Sequence, residues 1–110
     1  MSAYYDDQDL SRFAEMGADA PELWNKFQEW YSAVFADGAL TKREKSLIAL
    51  GVAHAIQCPY CIDAYTEDCL EKGADKAQMT EAVHVASAIR GGASLVHGLQ
   101  MRNVAKKLSM

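Results

Sequence analysis

Four residues in the middle of the chain, Cys58-Pro59-Tyr60-Cys61, carry its most specific chemical signal. Two thiols three positions apart can close a small disulfide and reopen it, so the pair can cycle between reduced and oxidised forms. Proline suits the first turn of a helix, where its missing N–H costs nothing, and is expensive further in. This places Cys58 at a helix N-cap and Cys61 in the first turn. Unbonded amides and the positive end of the helix dipole favour anions there, a thiolate among them. A cysteine in such a place can ionise well below the usual value of about 8.5. Two other readings of the pair exist. Both thiols could be inert, because free cysteine often packs as a small apolar residue. They could also bind zinc, which takes about four ligands. The best available set, His54, Cys58, Cys61 and Cys69, matches no recognised zinc pattern. No metal and no cofactor are expected.

The other reactive side chains are weaker candidates. Cys69 lies two helical turns beyond Cys61 and about 80° around, at roughly 100° per residue, and reads as a packing residue. His54 precedes Cys58 by one helical turn and shares a face with Leu47 and Leu50. It is either a hydrogen-bonded core histidine or a base for the thiol pair. Glu44 is explained by helix capping, and Glu81 with His84 reads as a surface pair.

The elements that must position these residues are helical. The chain has 110 residues, half of them hydrophobic, with two prolines and seven glycines. That length fits one domain, spanning 1–110. A short first helix is expected from Asp7 to Met16, behind a polar, frayed start. Pro21 opens a second helix. Its Leu23, Trp24, Phe27, Trp30, Tyr31, Val34 and Phe35 repeat at helical spacing, mainly as core packing. A pocket wall or a subunit interface is the other reading of that stripe. Thr41 and Glu44 form a capping box for a third helix. Its run Leu47-Ile48-Ala49-Leu50-Gly51-Val52-Ala53-His54-Ala55-Ile56 is apolar almost all round, as in a helix buried on most sides. The fourth helix starts at the cysteine pair and ends before Gly73, a good left-handed cap. Asp75 and Gln78 cap a fifth helix that ends at Gly91-Gly92, and a sixth follows to about Lys107. The expectation is an all-α bundle of five or six helices.

Composition excludes several function classes. The net charge is −4 and the isoelectric point about 5.2, which argues against a nucleic-acid binder. No apolar run approaches the ~20 residues of a membrane span. The N-terminal residues lack the features of a secretory signal. The odd count of three cysteines does not suit a closed disulfide framework. A cytoplasmic protein is expected.

The constellation resembles the AhpD-like, carboxymuconolactone decarboxylase superfamily over about residues 40–98. The resemblance rests on Leu40-Thr41-Lys42-Arg43-Glu44-Lys45-Ser46-Leu47-Ile48-Ala49-Leu50 and on Cys58-Pro59-Tyr60-Cys61-Ile62-Asp63-Ala64. Lys72-Gly73-Ala74, Glu81-Ala82-Val83 and Gly91-Gly92 also fit. It implies a dithiol peroxidase or thiol–disulfide reductase that uses a thiol or dithiol reductant and a small peroxide or disulfide substrate. It also implies a homo-oligomer, whether dimer, trimer or hexamer. Cys61 would attack the peroxide and Cys58 would resolve the sulfenic acid. The sequence departs from the redox pattern at two places. The usual histidine one turn after the second cysteine is Tyr65, and the usual glutamate twelve residues before the first is Ser46. Tyrosine, which titrates near 10, is a poor base but a usable hydrogen-bond donor. Tyr65 and His54 are therefore the residues expected to orient groups or exchange protons. The alternative is a non-redox decarboxylase-like enzyme or small-molecule binder of the same fold.

Overall fold

Two capping boxes and two Schellman turns fix the helices around the cysteine pair. The computed structural model describes Asp6 and residues 8–109. A 3-10 helix, Leu10–Gly17, leads to α1 (Pro21–Phe35), α2 (Lys42–Ala55), α3 (Pro59–Glu71) and α4 (Lys76–Leu108). No strand occurs among the described residues, and the fold is all-α. The expected fraying of the first residues and the expected helix start at Asp7 fall outside the described residues.

The caps behave as the sequence indicates. The Thr41 hydroxyl accepts from the Glu44 amide, while the Glu44 carboxylate accepts from the Thr41 amide. Asp75 and Gln78 exchange the same two bonds at the start of α4. At the end of α3, the Gly73 amide donates to the Leu70 carbonyl and the Ala74 amide to the Cys69 carbonyl. This is the Schellman pattern, and Gly73 takes the required left-handed conformation at φ 84°. Near the N-terminus, Gly17 lets the chain pass the Trp24 ring, which a Cβ there would meet at 2.6 Å.

Three expectations need correction. The first helix is a 3-10 turn shifted towards Gly17 rather than a helix over 7–16. Gly91-Gly92 does not divide the fifth helix from the sixth, and α4 runs unbroken through 33 residues. Neither glycine has a positive φ, and a glycine inside a helix costs only about 1 kcal/mol against alanine, too little to end a helix. The third helix of the sequence reading, α2, is buried on one side only. Leu50, Ala53 and Ser46 are buried, while Ile48 and Val52 are each 52% exposed.

The core sits where α2, α3 and the start of α4 meet. Leu50, Cys69, Ala74 and Met79 form it, with Leu47 and Tyr65 packed against it. Cys69 is fully buried and packs, as its position indicates. Met79 belongs to this core, whereas Met101 is exposed. Past the point where Arg90 Nη1 donates to the Ala55 carbonyl, α4 continues for five more turns with Leu95, Val96, Leu99, Val104 and Leu108 exposed.

Candidate active site

The cysteine pair is placed by the way α2 ends. The Gln57 amide donates to the His54 carbonyl, and the Cys58 amide donates to the Ala53 carbonyl at 3.0 Å. This is a second Schellman turn, with Gln57 in the glycine position at φ 56°. A non-glycine residue there is strained. The turn delivers Cys58 directly to the N-cap of α3, with Pro59 as the first helical residue. Sequence reasoning located the cap from Pro59 but missed Gln57, because glutamine carries no turn signal.

Cys58 and Cys61 are joined as a disulfide, with their Cα atoms 5.3 Å apart. The Cys61 amide donates to Cys58 Sγ at 3.3 Å. The first-turn donor therefore serves Cys58. An N-cap acceptor sulfur reached by an amide and the helix dipole is favoured as a thiolate. Cys61 instead lines an apolar cleft of about 540 Å³ between α1, α2 and α3. Both sulfur-bearing residues are half-buried.

The cleft wall comes from three helices. Tyr31, Val34 and Phe35 of α1, Ile48 and Val52 of α2 with its C-cap Ile56, and Cys61 and Tyr65 of α3 line the cleft. The aromatic stripe of α1 is thus partly a pocket wall. It runs as a chain of ring contacts from Phe13 through Trp24, Phe27, Tyr31 and Phe35 to Tyr65. The last pair stacks at 5.3 Å and 19°, which fixes the Tyr65 ring beside Cys61.

His54 is not among the residues that line this cleft. Its Nδ1 lies 2.8 Å from the Leu50 carbonyl oxygen of the preceding turn. A carbonyl can only accept, so Nδ1 donates and Nε2 is left as the acceptor of the neutral ring. The structure brings Cys58, Cys61 and Tyr65 together and leaves His54 bonded to its own helix. Glu44 is in its capping box, and Glu81 and His84 are both exposed.

Sequence reasoning missed Asp68. It shares a face of α3 with Cys61 and Tyr65, at i, i+4 and i+7. Its carboxylate accepts from the buried Ser46 hydroxyl and from Lys72 Nζ. Partial burial would raise its pKa, but the bonds from Lys72 and Ser46 and the Lys72 charge outweigh this and hold the carboxyl below the ordinary range. Burial pushes the Tyr31 hydroxyl up, and so does the Asp68 charge. The Cys69 thiol is raised by the same two causes, burial first. Ser46 therefore hydrogen-bonds a carboxylate supplied by α3. An i, i+4 Asp-Lys pair was the only sequence signal for it.

No group of three or more His, Cys, Asp or Glu residues that could hold a metal occurs among the described residues. No helix among them is long and apolar enough to cross a membrane.

The family model for the carboxymuconolactone decarboxylase family matches residues 21–101. A Paracoccus denitrificans protein described as uncharacterized protein 4 in the cox locus is 50% identical over 64 residues. That match spans 58% of each chain, so only part of the curated relative is represented. A solved structure from Methanobacterium thermoautotrophicum superposes with a TM-score of 0.74 at 32% identity, covering 76% of this chain and 94% of that one. The apo structure of a carboxymuconolactone decarboxylase family protein from Legionella pneumophila superposes with a TM-score of 0.70 at 32% identity. It covers 82% of this chain and 80% of that one.

Proposed function

The chain belongs to the carboxymuconolactone decarboxylase family, and from that premise we propose that it is a cytoplasmic dithiol oxidoreductase of the AhpD-like, peroxidase type. The observation that carries the reading is the division of labour within one disulfide. Cys61 opens onto an apolar cleft that Cys58 does not line, while Cys58 Sγ accepts a hydrogen bond from the Cys61 amide at the helix cap.

In the reduced protein the Cys61 thiolate attacks the terminal oxygen of a hydroperoxide. The O–O bond breaks, the alkoxide leaves and takes up a proton, and Cys61 becomes a sulfenic acid. The Cys58 thiolate then attacks the Cys61 sulfur. A disulfide forms, and the hydroxyl leaves as water after taking a proton. An external dithiol reduces the disulfide by exchange and is itself oxidised, which restores both thiols. Cys58 suits the middle step because its thiolate form is favoured by the Cys61 amide and the helix dipole. Tyr65, whose ring stacks on Phe35, donates a hydrogen bond to the departing oxygen in this proposal. The role of His54 is confined to proton exchange through solvent or motion, since Nδ1 is engaged with Leu50.

One observation favours the non-redox alternative: no imidazole or carboxylate lines the cleft, so a proton relay is not assembled beside Cys61. The two readings separate on thiol counting. Fully reduced protein exposed to one equivalent of an alkyl hydroperoxide should lose two thiols per chain and keep Cys69. Retention of all three thiols would reject the redox reading and leave the binder.

The functional unit in this proposal is a homo-oligomer. A monomer of this mass typically exposes about 6,000 Å², whereas this chain exposes 8676 Å². Its radius of gyration is 18.9 Å, against about 13 Å for a compact chain of this length. The exposed apolar residues on the second half of α4 form the surface that a second copy covers.

A further inference from the structure

Among the described residues, one charge in the cleft wall has no ion-pair partner. Among the described residues, Lys45 is the only charged one lining the space that Cys61 opens onto. Its Nζ donates to the Val34 and Ala36 carbonyls at the end of α1, each at 2.6 Å. An ammonium has three protons, so one remains undonated. The ion pairs among the described residues are Arg12–Glu15 and Lys72–Asp68, and neither includes Lys45. The two carbonyls therefore hold the ammonium at the C-terminal end of α1, on a residue of the cleft wall and opposite only the partial negative charge of a helix end.

The rest of the wall is apolar. Ile48 and Val52 belong both to this cleft and to an adjoining trough of about 410 Å³ between α2 and α4, where Val85 and Ile89 form the far side. An apolar path thus leads from Lys45 and Cys61 across α2. Its two parts fall in the size range of small-ligand sites. A neutral apolar molecule would leave the cation unmatched, and a phosphate dianion would exceed the single charge available.

We propose that the cleft takes an amphiphile with one carboxylate and an apolar body, Lys45 binding the carboxylate and the Ile48–Val52 face binding the body. Resting on the peroxidatic reading of Cys61, the preferred substrate is then the hydroperoxide of an apolar carboxylic acid rather than a neutral alkyl hydroperoxide. The chemical step is the one given above; Lys45 acts on binding and takes no part in bond making.

The test begins with binding, which needs no turnover. Dodecanoate and dodecanol are titrated into reduced protein and followed by calorimetry. The acid should bind about tenfold more tightly than the alcohol, and the preference should fall as salt screens the pair. Lys45→Met should abolish the preference and Lys45→Arg should keep it, with circular dichroism checking that each variant folds. If Lys45→Met fails to fold, the acid-to-alcohol ratio on the unaltered protein still decides. Equal affinities, a preference that survives in folded Lys45→Met, or no saturable binding because the cleft is occupied by another copy would each overturn the proposal. Kinetics with a fatty-acid hydroperoxide and its methyl ester then separate this proposal from the one beneath it. Equal kcat/KM for acid and ester rejects the carboxylate site and leaves the peroxidase. Tight binding of the acid with no consumption of either hydroperoxide rejects the peroxidase and leaves the carboxylate site.

Discussion

Leu95→Glu tests whether another copy of the chain completes the fold. Leu95 is 82% exposed on α4, beyond the hydrogen bond that Arg90 of that helix donates to the Ala55 carbonyl of α2. If the chain acts alone, a substitution at so exposed a site should change stability by no more than about 0.5 kcal/mol. If a second copy covers this surface, burial of one leucine contributes about 1.5–3 kcal/mol. A two-fold interface uses the residue twice, so the loss is roughly 3–6 kcal/mol, or about two to four decades in Kd. The area available supports an interface of this kind. The chain exposes about 2,700 Å² more than a compact monomer of its mass, on the scale of obligate interfaces. The assay is light scattering coupled to size exclusion, with helicity followed in parallel. The unaltered protein should elute as a multiple of 12.1 kDa. The variant should dissociate at micromolar concentration and lose helix content, because a projecting helix segment of this length is marginal without packing. An unaltered protein that is monomeric and fully helical would refute the reasoning.

Three further perturbations follow from the geometry. Gln57→Gly removes the left-handed strain at φ 56° and should raise stability by about 0.5–1 kcal/mol in urea titration; a loss would contradict the Schellman account. Ser46→Ala should destabilise by about 1–3 kcal/mol by taking one donor from the Asp68 carboxylate. Because the folded-state carboxyl of Asp68 is held below its ordinary range, its contribution is complete above about pH 4 and is lost as pH falls through the folded value. The gap between wild type and Ser46→Ala should therefore be full at pH 7 and shrink in acid, as read from denaturation at each pH. In the reduced protein at neutral pH, iodoacetamide should alkylate Cys58 faster than Cys61, since the amide donor serves Cys58; the reverse order in peptide mass mapping would show that the cap bond is not kept on reduction.

What the sequence disclosed and what it hid divide along physical lines. Signals carried by local backbone chemistry were legible: the capping side chains of Thr41 with Glu44 and Asp75 with Gln78, the fixed φ of Pro59 after Cys58, and the left-handed Gly73. Each such signal acts within a few residues. Hidden features depend on contacts across the fold or on competing preferences. Gly91-Gly92 looks like a helix end, yet the pair is tolerated because helix continuation on both sides outweighs two small penalties. Gln57 adopts a glycine-like conformation because the turns on both sides demand it. The Asp68 carboxylate reaches Ser46 from another helix, twenty-two positions away, which no local pattern encodes. The apolar run of α2 suggested burial on most sides. Within one chain its Ile48 and Val52 face remains open, and that open face forms the cleft and the trough beside it.

The central claim, that Cys61 is the peroxide-reacting thiol and Cys58 its resolver, is tested most directly by trapping the sulfenic acid. Reduced Cys58→Ser and Cys61→Ser proteins are exposed to one equivalent of an alkyl hydroperoxide with dimedone present, and the adduct is located by peptide mass spectrometry. A stoichiometric adduct is expected on Cys61 in Cys58→Ser, and a much smaller one on Cys58 in Cys61→Ser, because Cys58 does not line the cleft. An adduct on Cys58 alone, or on neither residue, would contradict the claim.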